Sequence, residues 1–209
     1  MSKFIAYSNV DGKFELSTFE NWEFTKDNEK LYTLGQAFCN KFLSGQTIEG
    51  LLINGDPGVG KSYFAYAVVN EMYKNNRTAI AISVENLLGM IKETFNSSGK
   101  VGEMSIINTL REASLIVLDD LGVEVKTEWS TKTLYKVIEA INSANKKLII
   151  TTNMTTEQLK QHLLSSDGVA RTFNRIQEMC VPMTVKGDSW RTKGVRERKT
   201  NFFKDLGVI

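Results

Sequence analysis

The residues best suited to chemistry lie in the stretch GDPGVGKS at 55–62, where three glycines precede Lys61 and Ser62. Glycine has no Cβ, so the backbone N–H groups of such a loop can close around an anion. A helix that begins at the loop adds the positive end of its dipole. The spacing G-x-x-x-x-G-K-[ST] therefore predicts a nucleoside triphosphate site, in which Lys61 reaches the β- and γ-phosphates and Ser62 binds Mg²⁺. The residues that we assign to nucleotide binding are Gly55, Asp56, Pro57, Gly58, Val59, Gly60, Lys61, Ser62 and Tyr63.

A second motif, LIVLDD at 115–120, is an apolar strand that ends in two carboxylates. Such a strand would place Asp119 beside the loop, where it can hold Mg²⁺ through water or Ser62. The adjacent Asp120 could polarise an attacking water, which a phosphate cradle cannot do by itself. An ordinary strand end with two solvated aspartates would have the same letters, but the preceding loop favours nucleotide chemistry.

Further polar and cationic residues could complete this site. The run LIITTN ends in Asn153, which could hold the attacking water or simply cap the helix that follows. Arg171 and Arg175 lie one turn apart in GVARTFNRIQE, and Arg191 follows in GDSWR. An arginine that reaches a neighbouring subunit's γ-phosphate accelerates hydrolysis by orders of magnitude, whereas surface arginines in ion pairs contribute little.

The elements that must position these residues alternate between strands and helices. Apolar, β-branched runs predict strands at 50–54, 78–83, 114–119, 147–152 and 180–185, with helices between them and at 26–43 and 189–205. This alternation predicts an α/β fold of the P-loop NTPase class, with a five-stranded parallel sheet sandwiched by helices. Ligands of such folds bind at the carboxyl ends of the strands, where the glycine-rich loop falls.

Composition narrows the classes of function. The 209 residues suit one domain, and no apolar run approaches the 18 residues of a membrane span. We expect a cytoplasmic protein without membrane association, because Cys39 and Cys180 fit a reducing compartment as buried small hydrophobes. The lone histidine, His162, is interpreted as a surface residue. Residues 186–204 carry seven basic and two acidic side chains, which favours an anionic partner or a solvated helix face equally.

Taken in order, these motifs resemble a known family. The loop, LDD, Asn153, the helix of Arg171 and Arg175, and GDSWR are similar to AAA+ helicase loaders of the DnaC/DnaI type. Transposition helper ATPases of the IstB type are close relatives. The resemblance runs from TFENW at 18–22 through GDSWR at 187–191 and includes VENLLGMIKETF and LDDLGVE. It implies an ATPase that binds ATP and Mg²⁺, self-associates into an ATP-dependent oligomer or spiral, and loads a replicative DNA helicase onto single-stranded DNA.

The resemblance also assigns roles to individual residues. Lys61 and Ser62 correspond to the Walker A pair. Asp119 and Asp120 correspond to the Walker B pair. Asp120 stands where many AAA+ proteins have glutamate, and its shorter reach favours slow hydrolysis that DNA or a partner modulates.

Four further positions receive roles in the same way. Asn153 resembles sensor 1. Arg175 aligns best with the arginine finger that acts on a neighbouring subunit, with Arg171 as a second candidate. Arg191 resembles sensor 2, which acts within its own subunit.

A helical insertion after the second strand lines the single-stranded DNA path in this family, and here it corresponds to about 84–100. Lys92, Phe95 and Lys100 are the candidate DNA contacts, and Thr127 is a weaker one. The Phe95 ring could stack on a base or could instead pack on the apolar face of its own helix.

The domain organisation and the alternatives follow from the same comparison. We expect an N-terminal extension at 1–17 and an AAA+ domain at 18–209. Family loaders usually carry a separate N-terminal domain that grips the helicase. We therefore expect this chain to be an isolated ATPase domain, a truncated piece of a longer loader, or a short phage- or element-encoded loader that uses residues 1–17 or another surface. The alternative functions are an IstB-like transposition helper and a small nucleotide kinase. A GTPase is disfavoured, because the nearest string to its Asn-Lys-x-Asp motif, at 145–148, lacks the aspartate.

Overall fold

A parallel sheet of five strands organises the chain in the computed structural model, which describes residues 13–25, 28–97 and 100–205. The strands lie in the order β2-β3-β4-β1-β5. Their bounds are β1 Gly50–Gly55, β2 Ala79–Ser83, β3 Leu115–Asp119, β4 Lys147–Thr152 and β5 Cys180–Val185. The predicted α/β class with a five-stranded parallel sheet between helices is therefore confirmed.

Helices connect the strands and follow the last one. Their bounds are α1 Lys13–Leu16, α2 Glu29–Leu43, α3 Lys61–Lys74, α4 Val84–Ser97, α5 Lys100–Glu112, α6 Glu128–Ser143, α7 Thr156–His162, α8 Arg171–Met179 and α9 Trp190–Asp205. Most bounds agree with the sequence pattern to within about three residues. The short helix α1 was not predicted, because four residues carry too little periodicity to be recognised.

Alternate side chains of each strand pack on opposite faces of the sheet. In β2, Ile80 and Ile82 face the layer that contains α4, α5 and α6, whereas Ala79 and Ala81 lie against α3. The small alanines allow α3 to approach the sheet, and its Phe64 is fully buried there. Burying such a side chain stabilises the fold by about 1.5–3 kcal/mol. Packing therefore fixes α3 directly behind the glycine-rich loop.

The strand register brings three carboxyl ends to one edge of the sheet. Leu118 of β3 pairs with Ile150 of β4, and Asn54 of β1 pairs with Thr152 of β4. The residues that follow β1, β3 and β4 therefore meet at this edge, as ligand-binding segments do in open α/β sheets.

The described end of the predicted N-terminal extension packs on α3. Phe14 is buried, and the Asn70 side-chain amide donates hydrogen bonds to the backbone oxygens of Phe14 and Ser17, both at 2.8 Å. Phe19 and Trp22 continue this contact as buried, stacked rings with centroids 6.0 Å apart. The described residues from Phe14 to Trp22 thus contribute to the core on the α3 side of the sheet.

One expectation about a single residue was wrong. His162 is not a surface residue, because only 15% of its side chain is exposed and its Nε2 lies 2.8 Å from Glu124 Oε1. Glu124 also accepts a hydrogen bond from Gly122 N at 2.7 Å, so the pair ties the loop after β3 to the end of α7. Cys39 and Cys180 are buried free thiols, as expected. Within the described ranges, no helix has the length and apolar character to cross a membrane.

Candidate nucleotide site

The loop between β1 and α3 depends on glycine at two positions. Gly60 precedes α3 with a φ of 99°, a left-handed conformation that side chains with a Cβ rarely adopt. Gly58 has a φ of 87°, and a Cβ there would lie 2.3 Å from Ser189 Oγ. Trp190 N also donates a hydrogen bond to Gly58 O at 3.0 Å. The loop therefore closes against the start of α9, which brings the GDSWR segment to the site.

Lys61 lies at the centre of this loop and is 4% exposed. Its Nζ donates to Gly55 O at 2.8 Å, Asp56 O at 2.9 Å and Asn153 Oδ1 at 2.7 Å. Burial lowers the pKa of the amine, and the carboxylates of Asp120, Asp119 and Asp56 act in the opposite direction. The third bond joins the loop after β1 to the residue after β4. The sequence had assigned both segments to the same site but had not predicted this contact.

Asp119, at the end of β3, is held by two hydroxyl groups. Tyr66 Oη donates to Asp119 Oδ2 and Thr151 Oγ1 donates to Asp119 Oδ1, each at 2.5 Å. The Asp119 side chain is 4% exposed, and Ser62 lines the adjoining cavity. No group of three or more His, Cys, Asp or Glu side chains that could hold a metal ion occurs among the described residues. A cation here would rely on a few hard oxygen donors and on phosphate oxygens, which suits Mg²⁺.

Asp120 follows with an unusual backbone. Its φ is 54°, in the left-handed region that aspartate visits more readily than most residues. The Asp120 N–H donates to Thr151 Oγ1 at 2.9 Å, and Leu121 N donates to Thr151 O at 2.9 Å. These two hydrogen bonds fix the turn after β3 to β4. Burial, and then the neighbouring Asp119 carboxylate, raise the pKa of Asp120, while Lys61 and Arg191 oppose that shift.

These groups surround a single cavity of about 390 Å³. Four segments that are distant in sequence supply Lys61, Asp120, Asn153 and Arg191 to its wall. Positive side chains, a carboxylate and an amide thus converge at the loop, as the binding of a phosphate chain and a water molecule would require.

Part of the cavity lining was missed by the sequence-based assignment of site residues. Asn21, Trp22, Glu23 and Asn28 also line it. Asn28 fixes this segment, because its Oδ1 accepts from Thr25 N and its Nδ2 donates to Glu23 O, both at 2.8 Å. Trp22 Nε1 is buried without a hydrogen-bond partner among the described residues. The TFENW stretch that contains Trp22 was the available signal, but it had been used only to delimit the family resemblance.

The two arginines of α8 lie apart from this cavity. Arg175 Nε bonds to Glu139 Oε2 at 2.8 Å and its Nη1 to Glu178 Oε2 at 2.6 Å, and these contacts raise the pKa of Arg175. Arg171 Nη1 bonds to Asp167 Oδ2 at 2.7 Å. Neither arginine is among the described residues that line the cavity, so neither reaches the site of its own chain in this conformation.

The predicted DNA contacts differ in their exposure and in what the structure describes of them. Lys92 is exposed on α4. The side chains of Phe95 and Lys100 lie outside the part that the structure describes. Thr127 caps α6, because its Oγ1 accepts a hydrogen bond from Ser130 N at 3.0 Å. That cap gives Thr127 a structural role whether or not it touches DNA.

A comparison with models of protein families identifies the family of this chain. The profile described as IstB-like ATP binding protein matches residues 11–198. The chain belongs to the IstB-like ATP-binding protein family. This match covers the glycine-rich loop, the two aspartates, Asn153 and the GDSWR segment, so the resemblance predicted from the motifs is confirmed. Members of this family bind ATP, as its name states.

Individual relatives support the same grouping. The chain is 21% identical over 161 residues to the replicative helicase loader DnaC of Buchnera aphidicola subsp. Baizongia pistaciae, covering 77% of this chain and 65% of that protein. It is 26% identical over 116 residues to the replicative helicase loader DnaC of Escherichia coli (strain K12), covering 56% of this chain and 47% of that protein. The IstB-like chain thus spans between about half and two thirds of the length of these curated relatives.

A solved structure agrees on the fold. The crystal structure of the DnaC helicase loader superposes with a TM-score of 0.70 at 21% identity, over 84% of this chain and the whole of that chain. The described sheet and helices of the IstB-like chain therefore have the same fold as that loader structure.

Proposed function

We propose that this chain is an AAA+ ATPase that loads a replicative DNA helicase onto single-stranded DNA. The cavity in which Lys61, Asp120, Asn153 and Arg191 meet carries this proposal, because it combines phosphate-binding and water-positioning groups. Membership of the IstB-like family supports ATP as the nucleotide. The two DnaC relatives, named as replicative helicase loaders, support the loader role.

In the proposed nucleotide complex, Lys61 exchanges its present acceptors for oxygens of the β- and γ-phosphates. The released Asn153 amide can then orient the attacking water, and Asp120 accepts its proton. Ser62 and Asp119 would hold Mg²⁺, which neutralises charge on the phosphates when bound. Arg191 adds positive charge from the start of α9, where charge develops as the γ-phosphate departs.

The aromatic part of the cavity lining suits the nucleobase. Trp22 and Tyr63 supply aromatic surface there, and their rings are in edge contact at 5.3 Å. Trp22 Nε1 has no hydrogen-bond partner among the described residues, and a ring nitrogen of adenine could accept a hydrogen bond from it. We propose that ATP lies with its base at the segment of Asn21 to Glu23 and its phosphates at Lys61.

The remaining roles belong to an assembly. Arg175 would reach the γ-phosphate of a neighbouring protomer, with Arg171 as the second candidate. Successive protomers would then align Lys92, Phe95 and Lys100 along one strand of DNA, held by backbone charge and stacking without sequence reading. The basic segment at 193–199 and Thr127 are further candidates for this contact. Turnover would be slow, because Asp120 has the shorter acidic side chain.

Loading of the helicase tests the proposal directly. The chain is mixed with the hexameric replicative helicase of its own host on circular single-stranded DNA coated with single-strand-binding protein, and unwinding of an annealed strand is followed. We expect unwinding to depend on this chain and on ATP, and to be lost with Lys61→Ala. Unwinding that the chain leaves unchanged would exclude the loader role.

Binding of DNA gives a second readout. Fluorescence anisotropy of a labelled oligothymidine should show binding that requires ATP, weakens steeply with salt and exceeds binding to duplex, because duplex bases are not free to stack. Equal affinity for duplex and single strand would remove the proposed DNA path while leaving the ATPase.

Two other functions have their own tests. The description of the family as IstB-like favours a transposition helper as the second candidate. In that case the chain should stimulate strand transfer by the transposase encoded beside it and have no effect on the helicase. A small nucleotide kinase would instead transfer the γ-phosphate of ATP to a nucleoside monophosphate, which thin-layer chromatography of labelled product would reveal.

A further inference from the structure

The carboxylate of Asp119 has a hydroxyl donor on each of its two oxygens. Thr151, on the neighbouring strand β4, donates to Oδ1, and Tyr66, on α3, donates to Oδ2. Both distances are 2.5 Å, in the range of strong bonds from a hydroxyl to a charged oxygen. Each oxygen accepts through one lone pair and keeps a second for another donor, such as a water on a metal ion.

The two hydroxyls restrain Asp119 in different ways. Thr151 is fully buried in β4 and also accepts from Asp120 N at 2.9 Å, so it belongs to the backbone turn. A carboxylate bonded through one oxygen can still rotate about χ2, whose preferences are broad. The Tyr66 bond to the second oxygen removes that freedom. Tyr66 therefore fixes the orientation of the carboxyl plane.

Tyr66 is well placed for this task by its position in α3. It lies four residues after Ser62, so both side chains are on the same face of the helix. Its ring is in turn held by Phe14 of α1, in an edge contact with centroids 5.4 Å apart. The helix that offers the Ser62 hydroxyl to the cation thus also orients the carboxylate that would share it.

We propose that Tyr66 is a positioning residue for the magnesium site, acting through Asp119. The inference deepens the proposed function and rests on the metal role of Asp119. It predicts that the Tyr66 hydroxyl matters for Mg²⁺-dependent nucleotide binding and has no part in binding without Mg²⁺. Neighbouring groups that orient a ligand in this way typically change metal affinity by about 10-fold or more when removed.

The test uses Tyr66→Phe, which keeps the ring and removes only the hydroxyl. Tyr73→Phe is the matched control, because Tyr73 is on the same helix and its hydroxyl donates to Ala79 O at 2.9 Å. Binding of the fluorescent analogue mant-ATP is titrated in EDTA and at increasing Mg²⁺, with a melting curve for each variant. Tyr66→Phe should raise the Mg²⁺ concentration for half-maximal binding by about 10-fold and leave binding in EDTA unchanged. Tyr73→Phe should change neither.

Asp119→Asn separates the inference from the function on which it rests. If Tyr66 acts through Asp119, Tyr66→Phe should add little to the Mg²⁺ dependence of an Asp119→Asn protein. A dependence that Asp119→Asn leaves at the wild-type value would overturn the metal site itself, and with it the role of Tyr66. A shift with Asp119→Asn but none with Tyr66→Phe would overturn the positioning role alone. Weaker binding of Tyr66→Phe in EDTA, or equal shifts in both backgrounds, would also overturn it.

Discussion

The edge of the sheet and the helix α8 hold their charged groups in contrasting ways. At the edge, Lys61 and Asp119 are each 4% exposed, and their partners come from the loop and from neighbouring elements of the same chain. On α8, Arg171 and Arg175 are partly exposed and are paired with surface carboxylates. Exposed ion pairs contribute little stability, so the arginines can exchange these partners at small cost. The buried Lys61 amine, in contrast, needs charged phosphate oxygens to replace its present acceptors.

This difference separates nucleotide binding, which one chain can perform, from the arginine contacts that we propose between chains. The edge of the sheet is organised before any nucleotide arrives, because the β1, β3 and β4 ends are fixed by the sheet register. The arginines of α8 do not line that cavity, and in the proposed function they act on a second protomer. The contrast predicts that variants at the edge affect each chain alone, whereas variants on α8 act between chains.

The largest effect should come from removing the buried amine. Lys61→Ala should weaken mant-ATP binding by about 100-fold or more, because it removes the buried amine that we expect to contact the β- and γ-phosphates. Lys74→Ala is the matched control, since Lys74 ends the same helix and pairs with Glu20 on the surface. If Lys61→Ala bound mant-ATP with wild-type affinity, the assignment of the loop as a phosphate-binding site would be wrong.

A nearly equal loss of turnover, without loss of binding, should follow from Asp120→Asn. The amide keeps the size of the side chain but cannot accept the proton of the attacking water, and removing such a base costs about 10²–10⁴-fold in rate. Phosphate release measured beside mant-ATP binding would separate the two effects. Unchanged phosphate release would exclude Asp120 from the chemistry.

The pH dependence should sharpen the same assignment. Burial, and then the Asp119 carboxylate, raise the pKa of Asp120. When the pH is lowered, Asp120 is therefore protonated, and turnover falls, at a higher pH than for an ordinary aspartate. Because its folded pKa exceeds its unfolded pKa, Asp120 contributes less stability as pH rises through the interval between them. Phosphate release and melting curves across this range would report both effects. If the turnover of the wild-type protein fell only near the usual aspartate pKa, the proposed effect of burial on Asp120 would be contradicted.

Smaller effects on a single chain are expected from α8. Arg175→Ala and Arg171→Ala should leave mant-ATP affinity within about twofold of wild type, because neither arginine lies at the cavity and exposed pairs contribute little. At high protein concentration, Arg175→Ala should lower turnover more than Arg171→Ala does. A larger loss with Arg171→Ala would transfer the finger role to that residue.

The sequence predicted the strands, the loop and the convergence of Asp119, Asp120 and Asn153, because parallel topology brings consecutive strand ends to one edge. It did not predict that Lys61 bonds to Asn153, since that contact depends on rotamers of residues 92 positions apart. Tyr66 received no role from the sequence and simply fell in the helix that was predicted between the first two strands. Hydroxyl contacts between elements have no periodicity in the sequence, and the pairing of His162 with Glu124 was missed for the same reason.

The central claim is that the site is prepared in each chain and completed by a neighbour, and it can be tested by mixing two variants with complementary defects. Lys61→Ala lacks the phosphate site but keeps Arg175, whereas Arg175→Ala has the reverse defect. Mixed at varied ratios and high concentration, they should recover part of the wild-type phosphate release, since some interfaces pair an intact loop with an intact arginine. Wild-type specific activity should also rise with protein concentration. No recovery at any ratio, together with turnover that is independent of concentration, would contradict the account and indicate a self-contained site.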